Sequence, residues 1–154
     1  MAFADLLRKP IVNLLLVRPG RKRSLAEWAQ KLAQDGEAIG QRAAAKQTPQ
    51  AQTTLRHITG IERWGQRRLQ VALGEPLLHD EYDGYQPDVN DDWATVLDAF
   101  HTTRQATVIL AQQLAAAGIS DQVMVPHNQF GPLPVRAWLS YLDIHAILES
   151  KRIR

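Results

Sequence analysis

The stretch that decides the fold runs from Val135 to Glu149 and reads VRAWLSYLDIHAILE. One side of this stretch follows the alternating three- and four-residue spacing of a buried helical face. The members of that face are Val135, Trp138, Leu142, His145 and Glu149. The spacing predicts a helix in the last segment of the chain, residues 133–154, with an imidazole and a carboxylate at core positions.

The burial of His145 and Glu149 needs a physical reason, because an ionised carboxylate away from water is costly unless a cation, donors or a metal compensates it. The two residues are four positions apart, so their side chains can converge on one divalent ion. The alternative is a core hydrogen-bond network in which imidazole and carboxylate satisfy each other. The sequence pattern by itself is compatible with both.

Composition excludes several classes of protein. The chain has 154 residues, enough for a single domain with one sizeable core. It has no cysteine, which rules out disulfides, thiolate nucleophiles and sulfur-bound zinc, so any metal must be held by nitrogen and oxygen. The longest apolar run, Ile11 to Val17, is interrupted by Asn13 and is far shorter than the ~20 residues that a membrane span needs. We therefore expect a cytoplasmic protein without a membrane partner.

Start signals for three more helices precede the C-terminal stretch. Ser24 with Glu27 forms a capping-box pattern, Thr48-Pro49 offers a cap and a first-turn proline, and Asp91 or Asp92 can cap a third helix. Glycines mark the corresponding ends, at Gly74 and Gly118. No alternating strand pattern competes, although residues 122–126 could be briefly extended. The prediction is an all-α fold of four long helices.

Loop lengths suggest how these helices are arranged. Only about three residues join the first two helices, which predicts antiparallel neighbours. Residues 74–91 are long enough to cross the length of a bundle, so the predicted order is up-down-down-up. We place the domain boundary before Ser24, with an N-terminal arm of residues 1–23 and a bundle of residues 24–154. The basic run Arg18–Arg23 belongs to that arm, which is expected to be solvated or to cover the bundle or a dimer interface. Nucleic-acid binding is not expected.

Helical phase places further polar residues inward, in the same half of the bundle: Asp35 on the first helix, His57 on the second and Arg104 on the third. Asp35 and Arg104 are the catalytic candidates. Either they pair with each other in the interior, or Arg104 binds an anionic substrate or the carboxylate of a thiol cofactor. Glu62 is predicted to form a surface ion pair rather than to support a metal ligand.

Several other side chains have two interpretations each. Tyr82 and Tyr85 either cover the pocket or pack a long loop. His127 and Asn128 provide either a fourth ligand or a loop hydrogen bond. His79 and His101 are predicted to lie on the surface.

Three segments resemble the DinB/YfiT-like superfamily of bacterial proteins. They are Leu55-Arg-His57-Ile-Thr-Gly-Ile-Glu-Arg-Trp64, Tyr82-Asp-Gly-Tyr85-Gln-Pro87, and Trp138-Leu-Ser-Tyr-Leu-Asp-Ile-His145-Ala-Ile-Leu-Glu149. The resemblance covers residues 24–154 and implies an up-down-down-up four-helix bundle, commonly a homodimer, with a zinc- or nickel-binding triad. That triad is one histidine on helix two and a His-x-x-x-His pair on helix four.

Carried over residue by residue, the implied metal ligands are His57, His145 and, in place of the second paired histidine, Glu149. Some relatives, the mycothiol-dependent maleylpyruvate isomerases among them, also use a glutamate. A carboxylate makes the site harder, so manganese or iron joins zinc and nickel as a candidate. The function implied is transfer of a low-molecular-weight thiol, bacillithiol or mycothiol, to small electrophiles, or a related hydrolysis. The alternative is a non-catalytic, stress-associated dimeric bundle with a structural polar core.

Overall fold

The computed structural model describes residues 9–154 and is mostly helical. Its four long helices are α1 (Leu25–Ala44), α2 (Pro49–Leu69), α3 (Trp93–Ala116) and α4 (Val135–Ser150). Short 3-10 turns follow α2 at Gln70–Leu73 and lie in the long connection at Tyr82–Tyr85. A two-stranded antiparallel hairpin, β1 (Met124–His127) with β2 (Gly131–Pro134), precedes α4. The prediction of a helical protein is confirmed in this coarse sense, and the hairpin is an addition to it.

The long helices begin where local capping chemistry predicts. The Ser24 hydroxyl accepts a hydrogen bond from the Glu27 backbone N–H, and the Glu27 carboxylate accepts one from the Ser24 N–H. Thr48 caps α2 in the same way and Asp92 caps α3. Gly74, at φ 101°, ends the turn after α2, because a left-handed conformation is strained for any residue with a Cβ. These boundaries are confirmed.

Contacts between helices define their directions. Arg42 near the end of α1 donates to Ser150 at the end of α4, so these two helices finish together. His57, early in α2, lies beside His145, late in α4, so α2 runs the opposite way. Arg63 and Gln66 of α2 bond in the same order to Thr103 and Thr107 of α3, which makes these two helices parallel.

The prediction that α1 and α2 are neighbours is wrong. Each of them packs on α3 and α4, and among the described helices α1 and α2 do not lie side by side. A short connection forces two helices to run in opposite directions, but it does not decide which of their faces meet. Those faces are occupied by side chains of α3 and α4.

The long connection returns along α2. Trp64 donates a hydrogen bond to the Asp80 carbonyl, Arg63 to that of Tyr85 and Arg56 to that of Pro87. The connection therefore runs antiparallel to α2. This path carries the chain from the end of α2 back to its start. It is the physical reason that α2 and α3 share a direction.

Residues 9–21 form a helical segment that packs on α4. The segment includes a π-helical turn, Asn13–Val17, and a short α-helix, Arg18–Arg21. At Gly20 the backbones touch: a Cβ there would lie 2.8 Å from the Arg136 carbonyl oxygen. The Trp28 indole also donates to the Gly20 carbonyl, at 2.9 Å. The described part of the predicted N-terminal arm therefore packs on the bundle. Residues 1–8 of the arm lie outside the described residues.

The core has two clusters, the larger formed by three tryptophans and the aliphatic side chains around them, and the smaller around Phe100. Trp28, Trp64 and Trp138 are each at most 2% exposed. The hairpin joins this core because Trp138 donates to the carbonyl of Val125, 2.9 Å away. Within residues 9–154, no helix has the combination of length and apolar character needed to cross a bilayer.

Candidate metal centre

His57, His145 and Glu149 come together between α2 and α4. One ligand atom from each lies within 4.8 Å of the other two, which confirms the predicted convergence. The two Nε2 atoms are 3.2 Å apart, and the rings are tilted by 58°. The convergence depends on the opposite directions of α2 and α4, which bring an early turn of one beside a late turn of the other. All three side chains are half-buried rather than at the fully buried positions that the helical spacing predicts.

The donor geometry fits a metal ion. Two nitrogens, each about 2.1 Å from a tetrahedral ion, lie about 3.4 Å apart. The observed 3.2 Å is close to that value, and it is also a normal length for an imidazole hydrogen bond. The third group favours the metal interpretation, because a hydrogen bond between two rings does not require a carboxylate within reach of both. Glu149 also forms an ion pair with Arg152, whose side chain is 68% exposed, so that pair is weak.

The protonation state of His145 also suits ligation. Burial, and after it the neighbouring His57 and Arg152, lower its pKa to about 4. A neutral imidazole carries the lone pair that a metal needs. His145 is therefore ready to bind an ion at neutral pH without first losing a proton.

A cavity of about 270 Å³ opens beside the two histidines. Tyr82 of the long connection forms part of its wall, with its ring edge-on to His57 at 5.5 Å. Tyr85 instead hydrogen-bonds Asp80 and holds the connection in place. Both tyrosines therefore pack the long connection on the core, and Tyr82 in addition lines the cavity. Tyr141, one turn before His145, also lines the cavity, and burial raises its pKa to about 12.

The aromatic character of this cavity was not predicted from the sequence. Trp64, Phe130 and Tyr141 surround the ring of His127, which stacks on Phe130 at 4.4 Å between ring centroids. Tyr141 could have been found, because it precedes His145 by four residues on the same helix. Phe130 lies in the hairpin turn, where no helical spacing reveals it.

His127 acts as a loop anchor. Its Nδ1 accepts hydrogen bonds from the backbone N–H groups of Gln129 and Phe130, at 3.1 and 3.3 Å. Asn128 accepts from Arg68 and donates to the Asp80 carbonyl. The loop interpretation of these two residues is therefore confirmed, and the structure does not include His127 among the converging ligands.

We expect His127 to make stability depend on pH. Burial, and then the nearby Arg68, lower its pKa from 6.5 to about 4. Its contribution to the free energy of unfolding is therefore present above pH 6.5 and is lost as the pH falls towards 4. His127→Asn keeps a side-chain acceptor for the turn but cannot titrate. Urea unfolding at several pH values measures this effect: between pH 6.5 and 4 the free energy of unfolding should fall less steeply for the variant than for wild type. Equal slopes for the two proteins would contradict the role given to His127.

Asp35 and Arg104, the predicted catalytic residues, are not brought to the triad, and neither lines the cavity. Arg104 is buried and pairs with Glu62 at 3.0 Å and with Asp143 at 3.5 Å, rather than with Asp35. Asp35 pairs with Lys31 at the edge of this cluster. Their catalytic roles therefore remain a prediction without a contact to the candidate site.

Glu62 lies inside the protein, so its predicted surface ion pair is wrong. Its side chain is 2% exposed and accepts a hydrogen bond from Thr107, at 2.6 Å, besides the pair with Arg104. Asp143 was missed entirely, because it falls outside the helical spacing that contains His145. Burial and the neighbouring Asp35 raise the pKa of Asp143 to about 7, against the opposing effects of Arg104 and Lys31.

Comparisons with protein-family models, curated proteins and solved structures found no match for this chain. The resemblance to the DinB/YfiT-like superfamily therefore remains a prediction. The site itself has two nitrogen donors at the wall of a cavity and one oxygen donor, from Glu149, within 4.8 Å of them. Three protein ligands leave at least one position of a metal ion for water or substrate, which is the pattern of catalytic rather than structural sites.

Proposed function

We propose that the protein is a divalent-metal-dependent enzyme of the DinB/YfiT-like type. His57, His145 and Glu149 would hold the ion, and the reaction is the transfer of a low-molecular-weight thiol to a small electrophile. The observation that carries the proposal is the convergence of three ligand atoms within 4.8 Å of one another, two of them on histidines that line a cavity. A bound ion would supply Lewis acidity, which lowers the pKa of a thiol or of water.

The arrangement of helices supports this type of fold. In the proposed up-down-down-up bundle, α1 and α4 run one way and α2 and α3 the other, linked by the crossover along α2. Contacts at Arg42, His57 and Arg63 agree with those directions. The same topology brings helix two beside helix four, where the triad requires them.

The donor set favours zinc or nickel, because both accept imidazole nitrogen and carboxylate oxygen. Replacing a third imidazole by Glu149 adds negative charge to the site and extends the candidates to manganese and iron. The neutral state of His145 helps each of these ions equally, since none has to displace a proton there.

The walls of the cavity favour an uncharged electrophile. Among the described residues that line it, Glu81 is the only Asp, Glu, Lys or Arg, and most of the remaining wall is aromatic. Aromatic faces bind flat or apolar groups well. Arg104 is held by Glu62 and Asp143, so it is not available to bind the carboxylates of a thiol cofactor. Those carboxylates would have to lie outside the cavity, and hydrolysis of a small electrophile remains the closest variant of the proposal.

Conjugation of bacillithiol to a haloalkane or a chlorinated aromatic by metal-loaded protein tests the proposal. We expect the reaction with metal-loaded wild type to be faster than with the same concentration of free metal. Glu149→Gln should slow the reaction by about 10²-fold or more, because the amide keeps the shape of the side chain but loses the anionic ligand. Glu75→Gln, an exposed glutamate far from the cavity lining, should behave as wild type. Product formation is followed by chromatography.

A second function follows if neither thiol transfer nor hydrolysis exceeds the rate of free metal. The buried cluster of Arg104, Glu62 and Asp143 supports a non-catalytic bundle whose polar core is structural. In that case Glu149→Gln should change only thermal stability. An unfolding curve of the variant distinguishes the two functions.

A further inference from the structure

A second concave surface lies on the other side of His145. This apolar groove, of about 320 Å³, runs between the N-terminal helical segment and α4. Ile11 and Leu15 form one wall, and Ile144 and Leu148 form the other. Ile11, Leu15 and Leu148 are each 55 to 57% exposed, an unusual concentration of large apolar side chains in contact with water.

The groove adjoins the cavity at the candidate metal centre. Phe130, Tyr141 and His145 line both the groove and the aromatic cavity. These three side chains therefore lie where the two spaces meet. A ligand lying in the groove would have one end against His145, within reach of the triad.

The groove has a fixed shape because its outer wall is anchored. The N-terminal segment is held on α4 by the close backbone contact at Gly20, and on α1 by the hydrogen bond from Trp28. Val12 and Leu16 are buried beneath it, while Leu15 remains exposed in the groove. Leu15 lies in the π-helical turn Asn13–Val17, and such turns occur frequently at functional sites.

We propose that the groove binds an alkyl or aryl group of the substrate, whose reactive end lies in the aromatic cavity at the triad. This inference rests on the proposed function and specifies its substrate as an apolar electrophile with an extended hydrophobic group. Apart from Tyr141 and His145, every residue that lines the groove has a hydrocarbon side chain. Such a lining binds hydrocarbon by removing it from water and offers almost nothing to a polar ligand.

Binding of the neutral fluorophore N-phenyl-1-naphthylamine to the full-length, metal-free protein tests the groove independently of catalysis. We expect saturable binding to wild type, and an affinity lower by about tenfold or more in Leu15→Glu and in Leu148→Glu, because each removes an apolar contact and adds a charge. Both side chains are largely exposed, so the folding of the variants is not at risk. Leu78→Glu is the matched control, since Leu78 is 44% exposed and does not line the groove.

The visible spectrum of bound Co²⁺ then tests the link to the triad. An apolar ligand in the groove should perturb that spectrum in wild type but not in Leu15→Glu. Fluorophore binding that is unaffected by both groove variants would overturn the inference while leaving a Co²⁺ site, and with it the proposed function, intact. Groove-dependent binding without any Co²⁺ site would instead overturn the proposed function and support an apolar ligand site alone.

The oligomeric state decides between a ligand and a second copy of the chain. If sedimentation shows a wild-type dimer that dissociates in both groove variants, and only the dissociated wild type binds the fluorophore, the surface is an interface between copies. That result would overturn the inference. The same oligomeric state in wild type, Leu15→Glu and Leu148→Glu, together with the loss of fluorophore binding, supports it.

Discussion

Alanine at His57, His145 or Glu149 is expected to weaken the binding of Zn²⁺ or Ni²⁺ by at least about 100-fold, because even indirect partners of ligands contribute 10- to 100-fold. The three ligand atoms lie within 4.8 Å of one another, so each substitution removes one of three donors to the same ion. Wild type should bind about one ion per chain. Competition with a chromogenic chelator measures the affinity, and elemental analysis after dialysis gives the stoichiometry.

Matched controls separate ligation from a general loss of charge. His79 is exposed and Glu75 is a surface residue, and neither lies in the converging group, so His79→Ala and Glu75→Ala should retain wild-type affinity. Saturating metal should also stabilise wild type against unfolding, by about 4 kcal/mol at 1,000 times the dissociation constant. The three ligand variants should lose that gain. If the three ligand variants bound as much metal per chain as wild type, a hydrogen-bond network would be the explanation of the triad.

Arg104→Ala is expected to lower the free energy of unfolding by about 3–5 kcal/mol, the range observed when one partner of a buried ion pair is removed. The guanidinium lies between the carboxylates of Glu62 and Asp143, whose side chains are 2% and 1% exposed. Without it, Glu62 loses its ion pair and stays buried, and Asp143 keeps only its contact with Lys31, at 3.5 Å. Chemical denaturation followed by circular dichroism measures the change.

Two comparisons identify the cause of this loss. Glu62→Gln in the Arg104→Ala background should recover part of the stability, because it removes the buried negative charge that has lost its partner. The deficit of Arg104→Ala should also shrink at lower pH, where the buried carboxylates can take up protons. Arg18→Ala, at an exposed position, should stay within about 0.5 kcal/mol of wild type. A stable Arg104→Ala protein with weakened thiol binding would restore the role that the sequence suggested for Arg104.

Features that depend on neighbouring residues could be predicted from the sequence. The starts of α1, α2 and α3 follow from Ser24, Thr48 and Asp92, because a cap is a contact between residues two or three positions apart. The pairing of His145 with Glu149 is likewise a property of one helical turn. The position of His57 could not be predicted from local spacing alone, since its place beside His145 and Glu149 depends on the direction of α2. Helical phase and the resemblance to a known family supplied that expectation.

The sequence by itself therefore determined where the helices begin and which side chains on one helix share a face. Only the tertiary structure decided what each face meets. Glu62 and Asp143 show the difference: neither belongs to the helical face that contains His57 or His145, yet both are buried, and each pairs there with Arg104. The apolar groove likewise exists only because the N-terminal segment packs on α4. The rotation and pairing of packed helices depend on the sum of many distant contacts, which no local spacing of residues encodes.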